Sequence, residues 1–275
     1  MKLSFSTLGC PDWDLESILT NARALGYDGV EMRGLAGTLD ISATPEFGAD
    51  IVETAARFRD AGIAVSCLDT SARAVVKSAA QRSDGIEEVG RYAVMCPQLG
   101  MPLIRVFGGS LDGVERPDAI RAAGENLREM IARADEYGAR IIVETHDDWL
   151  TGRDVADLLD ATNDDRVGVL WDTHHTYRMG KESPEETWRL LGSRIWGTHL
   201  KDSVPDPDDE DGSAYCLTGE GDIPLQQIVD VLSTGGFKGF LTLEWEKRWH
   251  PDLAQPEIAF PPFVAVIREL LGQPG

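Results

Sequence analysis

Eight short apolar runs, parted by helix-period or turn-rich stretches, most constrain how this chain can fold. They span 3–7, 29–33, 63–69, 103–108, 140–146, 167–173, 195–201 and 239–246. Each is continuous rather than strictly alternating, the pattern of parallel strands buried on both faces. Between several of them the apolar residues recur with helical spacing. Leu15, Ile18, Leu19, Ala22 and Leu25 follow i, i+3, i+4, i+7 and stop at Gly26. Further helices are expected over 119–137, 154–161, 224–232 and 257–271, the last interrupted early by Pro261 and Pro262. A helix–Gly–strand junction recurs at Leu25-Gly26-Tyr27, Ala61-Gly62-Ile63, Leu99-Gly100-Met101 and Tyr137-Gly138-Ala139. Strand and helix in alternation build βαβ units. Eight units in this length predict α/β architecture, a single (β/α)8 TIM barrel spanning 1–275. An open doubly wound sheet is the alternative, but the first turn, Thr7-Leu8-Gly9-Cys10-Pro11, has no G-x-G-x-x-G. The stretch 203–221, rich in Asp, Pro and Gly, reads as a surface loop and a partial lid.

Charge narrows the partners. With 26 Lys+Arg against 47 Asp+Glu the net charge is −21. Such a surface repels phosphate polyanions and anionic lipid, so neither nucleic acid nor membrane is an expected partner. No apolar run approaches the ~20 residues needed to span a bilayer. The start of the chain lacks a signal-peptide pattern. Cys10, Cys67, Cys96 and Cys216 are scattered and form no C-x-x-C, and Cys67 reads as a small core residue. A reduced cytoplasmic setting is expected. A homodimer is left open.

The chemistry collects where the late strands end. The fifth run ends Val143-Glu144-Thr145-His146, the sixth Trp171-Asp172-Thr173-His174-His175, the seventh His199-Leu200-Lys201-Asp202 and the eighth Glu244-Trp245-Glu246. Four of the five histidines sit there, and His250 follows. In a parallel barrel all these ends open onto one face, which hosts active sites. Glu144, Asp172, His199 and Glu244 together make an O3N donor set for one divalent cation. Mn2+ is expected, with Mg2+, Co2+ and Zn2+ as alternatives. Three converging carboxylates repel one another unless a cation or a proton lies between them. Taken singly, each acid also fits a helix cap or a solvated loop, and His199 a hydrogen-bonded core histidine. Trp171, Trp196 and Trp245 read as packing.

These segments resemble the xylose-isomerase-like TIM-barrel superfamily of sugar isomerases and epimerases. The resemblance rests on Glu144-Thr145-His146, on Trp171-Asp172-Thr173-His174-His175 as the family's D-x-x-H, on His199-Leu200-Lys201-Asp202 as its H-x-K-D, and on Glu244. Gly219-Glu220-Gly221-Asp222 is similar to the family's G-x-G turn, and Leu25-Gly26-Tyr27-Asp28-Gly29-Val30-Glu31 to its first helix and second strand. The resemblance implies that Glu144, Asp172, His199 and Glu244 hold a catalytic metal. It also implies that Glu144 and Glu244 serve as acid and base on opposite sides of a keto-sugar or polyol, that His175 binds a substrate oxygen, and that Lys201 lies near the developing anion. The chemistry is self-consistent: a cation on the carbonyl acidifies the neighbouring C–H, and a positioned carboxylate removes its proton.

Three neighbours have two readings each. His146 is an extra acid at the substrate or a partner of a ligating carboxylate. Glu246 contacts substrate, or pairs with Lys247 or Arg248. Arg105 reaches the pocket, or forms a buried ion pair with Glu31. One departure matters: ketose epimerases of this superfamily carry an arginine shortly after the strand-seven histidine, where Pro205 stands here. The H-x-K-D form is nearer the inosose dehydratase branch. The primary expectation is a metal-dependent isomerase or epimerase, and the runner-up is a lyase using the same enolate. A DNA-repair enzyme of the endonuclease IV branch would need extra early-strand histidines and a less acidic surface. A non-catalytic binding barrel would be expected to lose a ligand. No phosphate handle is expected at the strand-seven and strand-eight loops, which lack a basic Gly-rich nest.

Overall fold

The computed structural model describes residues 1–209 and 212–273. Eight parallel strands close a barrel: β1 (Lys2–Ser6), β2 (Gly29–Met32), β3 (Ala64–Arg73), β4 (Leu103–Phe107), β5 (Arg140–Glu144), β6 (Val167–Asp172), β7 (Ile195–Leu200) and β10 (Phe240–Leu243). The order round the ring is β1-β10-β7-β6-β5-β4-β3-β2. Every expected strand is present, and the fold is a (β/α)8 barrel. All residues of β2 and β6 are buried, as their continuous apolar runs require.

The outer layer is α1 (Leu15–Leu25), α2 (Ile51–Ala61), α3 (Ala79–Met95), α4 (Arg116–Asp135), α5 (Gly152–Thr162), α6 (Pro184–Leu191), α7 (Leu225–Thr234) and α8 (Pro256–Leu270). Helix α1 starts on Asp14, whose carboxylate accepts the Ser17 amide at 2.8 Å. It ends on Gly26 at φ 81°, the left-handed position that glycine takes without Cβ strain. Helix α8 is not interrupted at Pro261 and Pro262 but runs through them. The amide bonds those prolines cannot make are offset by packing. Phe260 and Phe263 are fully buried, with Phe260 4.5 Å from the Phe5 ring and Phe263 6.2 Å from Tyr27.

The 203–221 segment departs from a plain loop. It carries an antiparallel hairpin, β8 (Asp202–Pro205) with β9 (Ser213–Cys216), in register Asp202↔Cys216 to Pro205↔Ser213. The Asp- and Pro-rich composition belongs to the hairpin's tip and hides the short apolar-polar alternation of its arms. Residues 210 and 211 of that segment, and 274–275 of the expected barrel span, lie outside the described residues.

Inside the barrel, Cys67, Ile142 and Leu170 form a small apolar cluster of their own. Two residues further along the same strands stand Asp69, Glu144 and Asp172. Strand side chains alternate faces, so these three acids project into the barrel one layer nearer its C-terminal mouth. The apolar floor places a charged layer directly above it. No helix among the described residues is long and apolar enough to cross a membrane.

Candidate active site

The register between β6 and β7 sets Asp172 beside His199. Glu144 closes β5, and Glu244 follows β10, its amide bonded to the Leu200 carbonyl at 3.1 Å. All four side chains are buried, and one donor atom from each lies within 4.8 Å of the others. His199 Nδ1 stands at the centre, 3.1 Å from Glu144 Oε1, 3.2 Å from Glu244 Oε1 and 4.0 Å from Asp172 Oδ2. Donors bound to one cation at about 2.1 Å stand about 3.0–3.4 Å apart. The two shorter distances fall in that range. Glu144 Oε2 and Asp172 Oδ2 are buried and face cationic side chains, Arg105 Nε at 3.2 Å and Lys201 Nζ at 2.9 Å. The residues present therefore fit a divalent cation in donor type and spacing.

The electrostatics agree. Burial pushes Asp172 up to about 7, although the Lys201 ammonium 2.9 Å away favours its charged form. Burial also acts on Glu144 and Glu244. There Arg105 and His199 on the first, and His199 and Lys201 on the second, outweigh it and hold both carboxyls below the usual range. His199 is held well above its ordinary value: burial opposes protonation, but Glu244, Glu31 and Glu144 surround the ring.

A profile of the xylose isomerase-like TIM barrel family matches residues 19–261. The chain belongs to this family. An inosose dehydratase from Clostridium perfringens is 25% identical over 150 residues, 50% of this chain and 50% of that protein. The chain thus spans about half the length of the dehydratase it matches. An inosose isomerase from Bacillus licheniformis is 27% identical over 168 residues, 58% of this chain and 59% of that one. A solved structure of the IOLI protein with a binding zinc atom superposes with TM-score 0.82 at 21% identity, covering 99% of each chain.

Within this family barrel the remaining expected residues cluster at the mouth. Lys201 is buried, ion-paired to Asp172, to Glu244 and, at 2.6 Å, to Glu246. Glu246 therefore faces Lys201 and not Lys247 or Arg248, and it also accepts the Tyr215 hydroxyl at 3.0 Å. His175 Nδ1 donates to the Thr145 carbonyl at 3.0 Å, and burial with the Lys201 charge holds the ring neutral, so Nε2 is an acceptor. His146 stands half-buried with its ring 4.8 Å from Phe107 and 4.9 Å from His175, and Nδ1 2.9 Å from Asp147. Arg105 is buried and ion-paired, but not to Glu31: its partners are Asp69 at 3.5 Å and Glu144 at 3.2 Å, with Nη1 on the Thr70 carbonyl at 2.9 Å. Trp171 and Trp245 are buried in packing, and Trp196 stacks under Arg140 at 3.6 Å.

Two residues of this layer escaped the sequence reading. Glu31 Oε1 lies 2.7 Å from His199 Nε2, and Asp69 is buried beside it with neither oxygen hydrogen-bonded. Burial, then Asp69, push Glu31 up to about 8. Asp69 ends the third apolar run, so the criterion that picked the late-strand acids also picks it, whereas Glu31 lies within the second run. Asp202 of H-x-K-D is not a ligand. Its carboxylate accepts the amides of Ser203 at 3.0 Å, Gly219 at 2.9 Å, Gly221 at 3.1 Å and Ile223 at 3.3 Å.

Proposed function

We propose that this chain is a divalent-metal-dependent isomerase or epimerase that moves a proton beside the ketone of a keto-sugar or polyol. The observation that carries the reading is the pair Glu144 and Glu244, each with an oxygen about as far from His199 Nδ1, at 3.1 and 3.2 Å. Glu144, Asp172, His199 and Glu244 would hold the cation; Mn2+ suits this oxygen-rich set, with Mg2+, Co2+ and Zn2+ as alternatives. When bound, it would polarise the substrate carbonyl and acidify the adjacent C–H. One glutamate takes that proton. The other, across the substrate, returns a proton to the same carbon in epimerisation. Delivery to the neighbouring carbon gives isomerisation. His175 Nε2 accepts a substrate hydroxyl, and the Lys201 ammonium faces the growing negative charge. Arg105 positions Glu144 and holds it ionised. His146 and Glu246 border the substrate at the mouth. A soluble cytoplasmic enzyme on a small uncharged substrate suits the charge of −21.

A second reading is elimination of water from the same enolate. It is supported by the likeness to an inosose dehydratase and by Lys201, an ammonium placed where a leaving hydroxyl needs a proton.

Proton NMR in D2O tests both. The Mn2+-loaded protein, diluted to keep paramagnetic broadening small, should exchange deuterium into a keto-sugar or inosose beside the carbonyl. Retained molecular formula marks isomerisation and loss of water marks elimination. Glu244→Gln should lower exchange by roughly a thousand-fold or more. Exchange that survives EDTA, or is unchanged in Glu244→Gln, rejects both readings.

A further inference from the structure

A cavity of about 440 Å3 lies between the hairpin and the loop that follows β10. Ser213 and Tyr215 of β9 line it from one side, and Trp249, His250, Asp252 and Leu253 of the loop from the other, with Asp209 as its second acid. Trp249 is 49% exposed, and among the described residues no other tryptophan is exposed. The loop that presents it is tied down. The Trp249 and His250 amides both donate to the Glu246 carbonyl at 3.0 Å. Lys247 Nζ donates to the carbonyls of Pro251 and Leu253 at 2.5 Å each. Trp245 Nε1 fixes the far end of the loop on the Ala254 carbonyl at 2.9 Å. An indole held at the wall of a preformed cavity offers water an apolar area that a ligand would cover.

One side chain, Glu246, joins this cavity to the carboxylate layer. Its Oε1 accepts the Tyr215 hydroxyl at 3.0 Å and holds Lys201 at 2.6 Å, and its Oε2 stands 3.9 Å from His250 Nε2. The Tyr215 and His250 rings meet edge to face at 5.4 Å. The lining selects by charge. Asp209 and Asp252 disfavour an anion, and Arg248, 5.5 Å from the Trp249 ring, disfavours a cation stacked there. An uncharged sugar ring suits both. Its C–H face is slightly positive and lies well on the negative face of an indole, while its hydroxyls meet the imidazole and carboxylates at the rim. We infer that this cavity is a subsite for a second sugar ring, with Trp249 as its platform, so that the substrate is a glycosylated keto-sugar or polyol. The inference rests on the functional reading above, which sets the keto ring at the late-strand carboxylates. Trp249 lies three residues beyond Glu246, so a ring on its indole neighbours a ring at Lys201.

The first test titrates metal-free protein with methyl β-D-glucopyranoside and follows tryptophan emission. Covering Trp249 should move the wild-type emission to shorter wavelength, and Trp249→Ala should abolish the move. An indifferent wild type, or a move that Trp249→Ala keeps, overturns the subsite. A response to tetramethylammonium with none to the glucoside marks a cation cage and overturns it too. The second test is calorimetry on Mn2+-loaded protein with D-fructose and the glycosyl-fructoses turanose, lactulose and isomaltulose. At least one disaccharide should bind roughly ten-fold or more tighter than D-fructose. Trp249→Ala should erase that advantage and leave the D-fructose affinity unchanged, which also shows that the variant is folded. Where D-fructose binds, the absence of a tighter disaccharide, or a loss common to every ligand in the variant, overturns the subsite. The first test needs no metal. Protein that answers the glucoside but takes no ketose keeps the subsite and rejects the metal-dependent reading, so the two failures are told apart.

Discussion

At the scale of single residues, His199 organises the charged layer through both ring nitrogens. With Glu31 on Nε2 at 2.7 Å, a cation taking the place of the Nδ1 proton would leave the ring's remaining proton on Nε2, directed at that carboxyl. Glu31 is therefore a positioning residue for the proposed cation. Glu31→Gln keeps the size and can still hydrogen-bond, but it puts an amide in place of the carboxyl that accepts the Nε2 proton. Mn2+ affinity by calorimetry should fall roughly ten- to a hundred-fold. An unchanged affinity would show that the contact is only packing. The donor set itself was legible in the sequence because each member ends an apolar run, and a barrel forces such ends together. Asp69 carried the same signal on an early strand, where no histidine drew attention, and Glu31 was hidden inside its run. Tyr215 was not legible. Its bond to Glu246 exists only because a hairpin folds back over the mouth, a tertiary event with no local signature.

At the scale of elements, the turn after the hairpin shows how a motif can look catalytic and act as a clasp. Four amides converge on Asp202, and this fixes the strand end that carries Lys201. The clasp requires a glycine: a Cβ at Gly221 would stand 2.1 Å from Asp202 Oδ1 and 2.5 Å from the Ser203 carbonyl. Gly221→Ala should destabilise the protein by about 1–3 kcal/mol, read as a lower urea midpoint at unchanged m-value. A midpoint equal to wild type would show that the turn relaxes freely. Strands were easier to read than helices for a related reason. Every barrel strand is buried on both faces and announces itself as an apolar run. Helix α3 buries only a narrow stripe and carries Gly85 and Gly90 in its interior. Helix α6 has only eight residues, too few to show a period, though the Ser183 and Glu186 capping box marks its start. The apolar period gave both ends of the helix that stops at Gly26, whereas Gly62 marked a helix end without revealing where that helix began.

At the scale of the whole molecule, closing the barrel and sealing it with helices buries groups whose charged forms are then unaffordable. Tyr27 is enclosed between α1 and α8, its hydroxyl donating to the Phe260 carbonyl at 2.8 Å, and burial raises it well above 10.0. Burial likewise raises Cys10 and Cys67 well above 9.0 and takes Cys96 to about 12. In the unfolded chain these groups ionise near their ordinary values. Because each folded value is the higher, their contribution is fully present below about pH 9 and is lost as pH rises toward the folded values. Above pH 9 the unfolded chain sheds protons that the folded chain retains, so unfolding is progressively favoured. Each group costs about 1.4 kcal/mol per pH unit over that window. Cys96 alone titrates across the span from 9.0 to about 12. Urea unfolding should therefore show stability falling steadily from pH 9 to 11, while thiol alkylation of the native protein at pH 9 stays slow at Cys10, Cys67 and Cys96. A urea midpoint unchanged between pH 8 and 11, together with rapid native alkylation at those positions, would mean that the barrel wall admits solvent there and that the apolar seal around the charged layer is not closed.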